Sequence, residues 1–535
     1  MKTMINSIIL ASCLALPLAS CSDSDAAPEQ KDWSTTTYFN SSDAAAQDTY
    51  YKPAVGYVGD PMPFFDPVAG DFKVLYLQDF RPNPEGTYHP IWGVSTKDAA
   101  HYTALGELVS CGTLKSQDAA IGTGSTIYDE ASKLYYTFYT GNKYKPTGDE
   151  SAQAVMVATS ADFKTWTKDR TFLLKGQDFG YDKNDFRDPF VFKGDDGKFH
   201  MLVSTKKSGK GSLAEFVSDD LKNWTDNGVF MTMMWDRFYE CPDLFKMGDY
   251  WYLVYSEIHH AVRRVQYFKG RTLDELKACT ANDVARWPDA HEGFLDSRGL
   301  YAGKTASDGT NRYLWGWCPT RSGKDNTAVG ASPAEPEWGG NLVCYKLIQH
   351  EDGTLTLGQV DAVSEKYNQD VAVEVKESQN MTEADGTYTL AGNAELPDAY
   401  MLMGRLGNHN KISFTVTTTD KWDKFGISMV RGSDSKKYYT MVVNPENENN
   451  RKVNFEEQGV EGKGFIAGID GYVFARPADN VYNITIYTDN SICVMYINDV
   501  CSYTNRIYGI QKNCWSINSY NGANVKVSNL KISQY

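Results

Sequence analysis

Three acidic residues stand in short apolar strings, where a carboxylate is costly to bury unless it has a chemical role. They are Asp60 in "GYVGDPMPFF", Asp188 in "NDFRDPFVF" and Glu240 in "RFYECPDLF". A single Asp-Pro of this kind is better explained as a turn cap before a strand. Cleavage of a glycosidic bond needs two carboxyl groups across the scissile bond, one ionised and one protonated, often with a third group that shapes the site. Three such strings in one chain favour that chemistry.

The elements that must position these acids are β-strands. Short alternating segments run along most of the chain and are parted by turn clusters rich in Gly, Asp, Asn and Pro. A recurring unit ends in Ser/Thr-x-Asp-x-x-x-Trp, in "AVMVATSADFKTWTK", "SLAEFVSDDLKNWTD" and, degenerately, "IWGVSTKDAAHYTAL". Repeats at this separation favour a β-propeller, which brings distant residues to one central face. Convincing helical periodicity is found mainly near "TLDELKACTANDVARW".

The strand pattern changes near residue 360. Longer alternating strands follow, such as "KISFTVTTT" and "YNITIYTDNSICVMYIND", which are typical of a β-sandwich. We therefore predict an all-β chain with a β-propeller catalytic domain over residues 51–358 and a β-sandwich domain over residues 359–535.

The N-terminal segment predicts export. Residues 1–20 carry an early lysine and an apolar stretch too short to span a bilayer, as in a secretory signal peptide. The signal ends in "LASC", which resembles a bacterial lipobox and implies lipid attachment at Cys21. Residues 21–50 then form a polar tether and lead-in. We expect a protein lipid-anchored at the bacterial cell envelope, in the outer membrane facing the cell surface or the periplasm. The alternative is an ordinary signal peptide with a chance cysteine.

Charge and cysteine spacing restrict the partners. The 535 residues carry 68 acidic against 53 basic side chains, a net charge of −15, which disfavours a nucleic-acid partner. The expected partner is a poly- or oligosaccharide substrate, with membrane contact only through the lipid anchor. No cysteine pair has zinc-ligand spacing, and we predict neither a metal nor a cofactor. A disulfide between Cys493 and Cys501 is compatible with the sequence, and oligomeric state is left open.

The ordered set of motifs resembles glycoside hydrolase family 32, the family of invertases, inulinases and levanases. Asp-Pro, Arg-Asp-Pro and Glu-Cys occur here in the family's order. Further similar segments run over residues 51–535, and they are "FKVLYLQDFRPN", "WGVSTKDAAHYTALG", "GTGSTIYDE", "LYYTFYTGN", "LYAGKT", "YLWGWCP", "EWGGNLVCYKLIQHEDGTL" and "IYTDNSICVMYIND".

This resemblance implies a five-bladed β-propeller with a C-terminal β-sandwich, cleaving β-fructofuranosidic bonds with retention. By motif position, Asp60 is the nucleophile, Glu240 the general acid and base, and Asp188 the transition-state stabiliser. It also implies that six further residues bind the sugar: Arg187, Gln78, Trp92, Thr123, Tyr301 and Trp317. The aromatic ones among them could equally be core residues, since strand aromatics mostly are, and Arg187 could be in a structural salt bridge.

The first motif departs from the family's pattern. Where the family commonly has Trp-x-Asn-Asp-Pro-Asn-Gly, this chain has "YVGDPMP", so Gly59 and Met62 replace both asparagines. Gly122 replaces a phenylalanine further on. The departures imply a differently shaped subsite, a different fructan linkage or weakened catalysis.

Two alternatives are compatible with the residues. One is a related inverting propeller glycosidase of family 43 that acts on arabinofuranosides. The other is a surface lipoprotein that binds glycan without cutting it, although a pure binder has no need of all three acids.

Overall fold

The computed structural model describes residues 49–81, 83–232, 238–257, 264–283, 293–321, 336–431, 437–456, 471–507, 509–511 and 513–535. The predicted signal peptide, Cys21 and almost all of the tether lie outside these ranges. In the described residues no helix is long and apolar enough to cross a membrane.

The first part of the chain folds into five antiparallel units, the blades of the predicted propeller. Their strands, in chain order, are as follows. Blade I has β1 (Tyr57–Asp66), β2 (Asp71–Asp79), β3 (Ile91–Thr96) and β4 (Thr103–Val109); blade II has β5 (Ala120–Asp129), β6 (Leu134–Asn142), β7 (Gln153–Ser160) and β8 (Thr167–Lys168). A 3-10 helix, Gly176–Phe179, precedes blade III, which has β9 (Phe186–Lys193), β10 (Phe199–Lys207), β11 (Lys210–Ser218) and β12 (Thr225–Thr232). Blade IV has β13 (Glu240–Met247), β14 (Tyr250–Glu257), β15 (Arg264–Gly270) and helix α1 (Leu273–Asp283); blade V has β16 (Tyr301–Ser307), β17 (Arg312–Arg321), β18 (Pro336–Gln349) and β19 (Leu355–Gly358). The helix begins within the segment whose periodicity predicts it.

The first strands of the five blades form the inner ring. Around the axis, β1 contacts β5 and β16, β9 contacts β5 and β13, and β13 contacts β16. The ring closes where β1 of blade I pairs with β18 of blade V, with Val58 opposite Gly340. All inner strands therefore begin at one face of the propeller, as the sequence pattern predicts.

The repeated Ser/Thr-x-Asp motif forms the turn between the third and fourth strands of blades I, II and III. In each turn the aspartate Oδ1 accepts hydrogen bonds from the backbone N–H groups two and three residues later, at 2.8–3.0 Å; the aspartates are Asp98, Asp162 and Asp220. This is the Asx-turn geometry that short acidic side chains favour. In blade III the aromatic residue four positions after the aspartate packs against the neighbouring blade, since Trp224 lies 5.6 Å from Phe138 of blade II, ring centre to ring centre.

The second part of the chain forms two packed sheets. Helix α2 (Asp361–Lys366) precedes them, and their strands are β20 (Gln369–Val371), β21 (Val375–Gln379), β22 (Met381–Ala384), β23 (Thr387–Ala391), β24 (Ala399–Arg405), β25 (His409–Thr418), β26 (Lys424–Arg431), β27 (Lys437–Pro445), β28 (Asn450–Glu456), β29 (Tyr472–Ala475), β30 (Val481–Asp489), β31 (Ile492–Ile497), β32 (Cys501–Arg506), β33 (Cys514–Tyr520) and β34 (Asn524–Gln534). One sheet has the order β22-β23-β34-β25-β30-β31-β32, with β20 beside β34, and the other has β21-β24-β33-β26-β27-β28-β29. A continuous apolar core lies between them, which is the architecture of a β-sandwich.

Strand β32 of the sandwich joins it to the propeller through buried polar groups. The Asp296 carboxylate, in the segment before β16, accepts hydrogen bonds from Thr504 N and Oγ1 and from Ser502 Oγ at 2.8–2.9 Å. The Arg506 guanidinium donates to the backbone oxygens of Cys318 and Pro319 at the end of β17. These bonds fix the sandwich against blade V.

Further contacts tie the start of the described chain to the sandwich. Thr49 and Tyr50 donate their backbone N–H groups to Asp489 Oδ2 at 3.0 and 2.9 Å.

Cys493 and Cys501 are buried free thiols, so the disulfide that the sequence allows is absent.

Candidate active site

Every inner strand is irregular within its first few residues. The pairing with the second strand shifts register at the same level in all five blades, which marks a β-bulge; the shifts fall between Gly59 and Met62, Gly122 and Gly124, Leu202 and Ser204 (opposite β9), Glu240 and Asp243, and Tyr301 and Lys304. A bulge bends a strand and re-aims its side chains. The bulges thus turn five sets of side chains toward the axis at one end of the propeller.

The sequence accounts for the bulges. Asp60, Asp188, Cys241 and Ala302 all have positive φ, from 25° to 58°, in the left-handed region that few non-glycine residues adopt. Each is followed by proline or glycine, which are the residues that tolerate an interrupted ladder. The Asp-Pro pairs are therefore neither ordinary turns nor regular strand, and the strain at them is typical of a functional site.

Asp60 is held by two neutral donors from other blades. Thr123 Oγ1 of β5 donates to Asp60 Oδ2 at 2.7 Å, and Trp317 Nε1 of β17 donates to Asp60 Oδ1 at 3.0 Å. Both oxygens are thus fixed, which favours a carboxylate that stays in one orientation.

Glu240 is held by a cation and a phenol. Arg187 donates from one terminal nitrogen to Glu240 Oε1 at 2.9 Å and from the other to Asp185 Oδ1 at 2.7 Å. The guanidinium also lies 3.8 Å from the ring centre of Phe238. Tyr301 donates its hydroxyl to Glu240 Oε2. The Arg187 side chain therefore does form an ion pair, and the pair is with a predicted catalytic group.

Asp188 is the most enclosed of the three acids, with 4% of its surface exposed. Its Oδ2 accepts a hydrogen bond from the backbone N–H of Cys241 at 2.9 Å, directly beside Glu240. Burial raises the pKa of Asp188 to about 7, and the nearby charges of Glu240 and Asp60 act in the same direction, while Arg187 and the Cys241 N–H oppose them.

A lysine that sequence reasoning missed lies in the same inner ring. Lys304 on β16 is 2% exposed, and its ammonium donates to the backbone oxygen of Gly124, the residue after Thr123, at 2.8 Å. Burial lowers the pKa of Lys304, and the negative charges of Asp243, Asp188 and Asp60 act against that shift. Its positive charge therefore lies near the carboxylates.

Two predicted sugar-binding residues lie outside this network. Gln78 is fully buried, and its amide donates to the backbone oxygen of Val55 at 2.5 Å. Trp92 packs edge-on against Phe80, 6.0 Å between ring centres. The structure brings the other four predicted residues to the carboxylates and leaves these two in the packing of blade I; the four are Arg187, Thr123, Tyr301 and Trp317.

The two lost asparagines have a structural explanation. A Cβ atom at Gly59 would overlap the indole of Trp338, which fills the space that a side chain at position 59 needs. The Met62 side chain is buried, and its sulfur accepts a hydrogen bond from Gly124 N at 3.1 Å. Where the family has an asparagine amide next to the nucleophile, this chain therefore has the indole ring of Trp338. Only the contact between two distant strands could have revealed it, and no local pattern encodes that contact.

The arrangement can carry out acid–base and nucleophilic chemistry on a neutral ligand. It presents one fixed carboxylate, a second with a cation and a hydroxyl as partners, and a buried third. In the described residues no group of three or more His, Cys, Asp or Glu side chains is arranged to hold a metal ion.

Comparison with known families matches two models in tandem. The glycosyl hydrolases family 32 N-terminal domain matches residues 50–360, and the GH32, BT1760-like, C-terminal domain matches residues 353–532. Both are models of family 32 and neither is of family 43.

Individual relatives are more distant. An invertase from Debaryomyces hansenii is 28% identical over 286 residues, which are 48% of this chain and 49% of that protein. The chain thus spans about half the length of the curated relatives it matches. Among solved structures, sucrose-6-phosphate hydrolase from Lactobacillus gasseri has a TM-score of 0.66 at 17% identity and covers 94% of both chains. Fructan 1-exohydrolase IIa from Cichorium intybus, in complex with 1-kestose, has a TM-score of 0.66 at 15% identity, covering 90% of this chain and 97% of that one. These likenesses show the fold.

Asp188→Asn should stabilise the folded protein at high pH. Because the pKa of Asp188 is about 7 when folded and near 3.8 when unfolded, its contribution to stability is full below about pH 4 and is lost as the pH rises through 7. At pH 8 the folded wild type buries a charge that asparagine lacks, so we expect a gain of about 2–4 kcal/mol in unfolding free energy. The gain should fall toward zero near pH 4. Denaturant unfolding at both pH values measures it.

Asp195→Asn is the matched control for that experiment, because Asp195 is exposed and the same change there should have little effect on the unfolding free energy at either pH. An equal gain in unfolding free energy for Asp188→Asn at pH 4 and pH 8 would contradict a raised pKa for Asp188 in the folded protein.

Proposed function

Because this chain belongs to glycoside hydrolase family 32, we propose that it is a glycoside hydrolase that cleaves β-fructofuranosidic bonds, in fructans of the levan or inulin type or in sucrose-like oligosaccharides. One observation carries the proposal. Asp60, Asp188 and Glu240 lie within the first four residues of the inner strands of three different blades, and hydrogen bonds through Thr123, Thr140, Arg187 and the Cys241 N–H connect them. We assign the chemistry to the propeller, residues 51–358, and a supporting role to the sandwich, residues 359–535.

The contacts support a distinct role for each acid. Asp60, with both oxygens fixed by Thr123 and Trp317, attacks the anomeric carbon and forms a covalent fructosyl ester. Glu240 gives its proton to the leaving oxygen as the bond breaks, then removes a proton from the water that hydrolyses the ester. Two displacements at one carbon retain its configuration.

Asp188 and Arg187 act on the sugar and on the other acids. As an anion, Asp188 stabilises the oxocarbenium-like transition state and accepts hydrogen bonds from sugar hydroxyls. Arg187 holds the Glu240 carboxylate in place through the ion pair with its Oε1. The Tyr301 hydroxyl donates a hydrogen bond to the other Glu240 oxygen. It therefore stays in contact with the carboxyl group that gives up and takes back the proton.

We also propose that the protein is lipid-anchored through Cys21 at the bacterial cell envelope, on the basis of "LASC" and the polar segment after it. In a bacterial host, wild type should partition with membranes and Cys21→Ser should not. Equal partitioning of the two proteins would contradict the anchor. The Cys111→Ser protein, altered at a half-buried thiol of the propeller, serves as control.

Product analysis tests the enzymatic activity. Wild type incubated with levan, inulin and sucrose should release fructose or fructo-oligosaccharides, separated by chromatography; monomer alone indicates exo action, and a ladder indicates endo action. Glu240→Gln should lower kcat by about 10²- to 10⁴-fold because it removes the acid and base. Glu383→Gln, at an exposed position of the sandwich, should leave it unchanged.

Two outcomes would overturn the proposal. Release of no fructose or fructo-oligosaccharide from any of the three substrates means that the reaction is a different one. Equal binding of fructan by wild type and Glu240→Gln, with hydrolysis by neither, means that the protein only binds glycan.

The Gly59 and Trp338 pair gives a second kinetic test. Gly59→Asn should reduce kcat/KM by at least about tenfold, since the new side chain overlaps the Trp338 indole and disturbs its contact with Trp317, which donates to Asp60. Trp338→Ala added to Gly59→Asn makes room, and the double variant should be more active than Gly59→Asn alone. Gly404→Asn, at a glycine of the sandwich where an added Cβ meets only ordinary van der Waals contacts, is the control. A Gly59→Asn protein as active as wild type would show that the overlap has no functional effect.

A further inference from the structure

One buried hydroxyl group connects blade II to blade III close to the acids. Thr140 of β6 is fully buried, and its hydroxyl donates to the backbone oxygen of Thr123 in β5 at 2.9 Å. The same hydroxyl oxygen accepts a hydrogen bond from the backbone N–H of Asp188 in β9, also at 2.9 Å. Thr140 therefore contacts both the strand that supplies Thr123 and the strand that supplies Asp188.

Both partners of the Thr140 hydroxyl are backbone groups at β-bulges. In blade II the bulge falls between Gly122 and Gly124, so Thr123 is its extra residue. In blade III the pairing of β9 with β10 is interrupted at Asp188. A buried backbone N–H or C=O without a partner is costly, and a hydroxyl can donate one hydrogen bond while it accepts another. One side chain thus satisfies a carbonyl and an amide that the two bulges take out of their ladders.

The Thr140 bonds complete a chain of contacts between two acids. Thr123, whose carbonyl accepts from Thr140, donates its own hydroxyl to Asp60 Oδ2 at 2.7 Å. Asp188, whose N–H donates to Thr140, accepts the backbone N–H of Cys241 at its Oδ2 at 2.9 Å. The hydrogen bonds that place Asp60 and those that place Asp188 therefore meet at one oxygen atom.

We propose that Thr140 is a positioning residue for the reaction, whose hydroxyl sets the separation between the Asp60 and Asp188 carboxyl groups. This inference rests on the proposed function, in which both acids act on the same sugar. Thr140 is enclosed and acts only through Thr123 and Asp188. A threonine suits this task because its β-branched side chain has few rotamers, which keeps the hydroxyl in one orientation. Misplacement of a catalytic group by about 1 Å can cost about a hundredfold in rate.

Thr140→Val keeps the shape of the side chain and removes the hydroxyl. On whichever of levan, inulin and sucrose wild type hydrolyses fastest, kcat should fall by about tenfold to a hundredfold while KM changes little, because the separation of the acids matters more in the transition state than in the bound substrate. Thr140→Ser retains a hydroxyl and should restore most of the wild-type kcat. Thr140→Ala also lacks the hydroxyl and should lose as much as Thr140→Val, so it replaces the valine variant if that protein does not fold.

Thr137→Val is the matched control on the same strand. Thr137 is also fully buried, and its hydroxyl lies 2.8 Å from that of Thr126 within blade II. The control variant therefore loses a buried hydrogen bond that does not lead to the acids, and its kcat should equal that of wild type. Wild-type kcat in both Thr140→Val and Thr140→Ala, or a loss of the same size in Thr137→Val, would overturn the positioning role.

Crystal structures of wild type and Thr140→Val separate this inference from the proposed reaction. In the variant the Thr123 oxygen and the Asp188 N–H lose a shared partner, so the separation of the Asp60 and Asp188 carboxyl groups should change by about 0.5 Å or more, the tolerance of a catalytic arrangement. If wild type hydrolyses none of the three substrates, the proposed function fails while this comparison still decides the positioning role. An unchanged separation rejects it.

Discussion

The repulsion among three acids at one end of the propeller is the constraint on which the rest of the structure depends. Asp60, Asp188 and Glu240 come close enough for their charges to raise the pKa of Asp188. They stay together because both oxygens of Asp60, both oxygens of Glu240 and one oxygen of Asp188 accept hydrogen bonds. The donors come from blades II, III, IV and V; they are Thr123, Arg187, the Cys241 N–H, Tyr301 and Trp317. No single blade could hold this site.

Lys304 also balances charge in the inner ring, near the carboxylates. An ammonium with 2% exposure is unfavourable unless charge nearby compensates for lost hydration. Asp243, Asp188 and Asp60 offset the lost hydration of Lys304, and Lys304 in turn favours the charged form of Asp243. Its bond to Gly124 O also steadies the bulge that presents Thr123 to Asp60. The Lys304 side chain thus both offsets negative charge and fixes the backbone beside Thr123.

The sequence contained the acids, their order and the architecture, because each leaves a local trace. The acids sit beside Pro or Cys in apolar strings, and the Asp-turn repeats mark the blades. What it did not contain are contacts between distant positions. Gln78 and Trp92 match sugar-binding positions by motif yet pack within blade I. Trp338 and Lys304 lie in segments that resemble the family, but those segments give neither residue a role, since their roles depend on contacts with Gly59 and Gly124 on other strands. Strand patterns specify which face a side chain occupies, but not which partner it meets across a ring.

The closure of the ring has a consequence for how the protein is made. Val58 pairs with Gly340, and the backbone N–H of Thr49 donates a hydrogen bond to the Asp489 carboxylate. Strand β1 therefore cannot complete its pairing until blade V has been synthesised, and contacts between residues so far apart in sequence form slowly. Until then the chain exposes unpaired strand edges, which invite aggregation. Tyr301 and Trp317 of blade V donate to Glu240 and Asp60, so a chain truncated before blade V contains the three acids but lacks two of the groups that hold them.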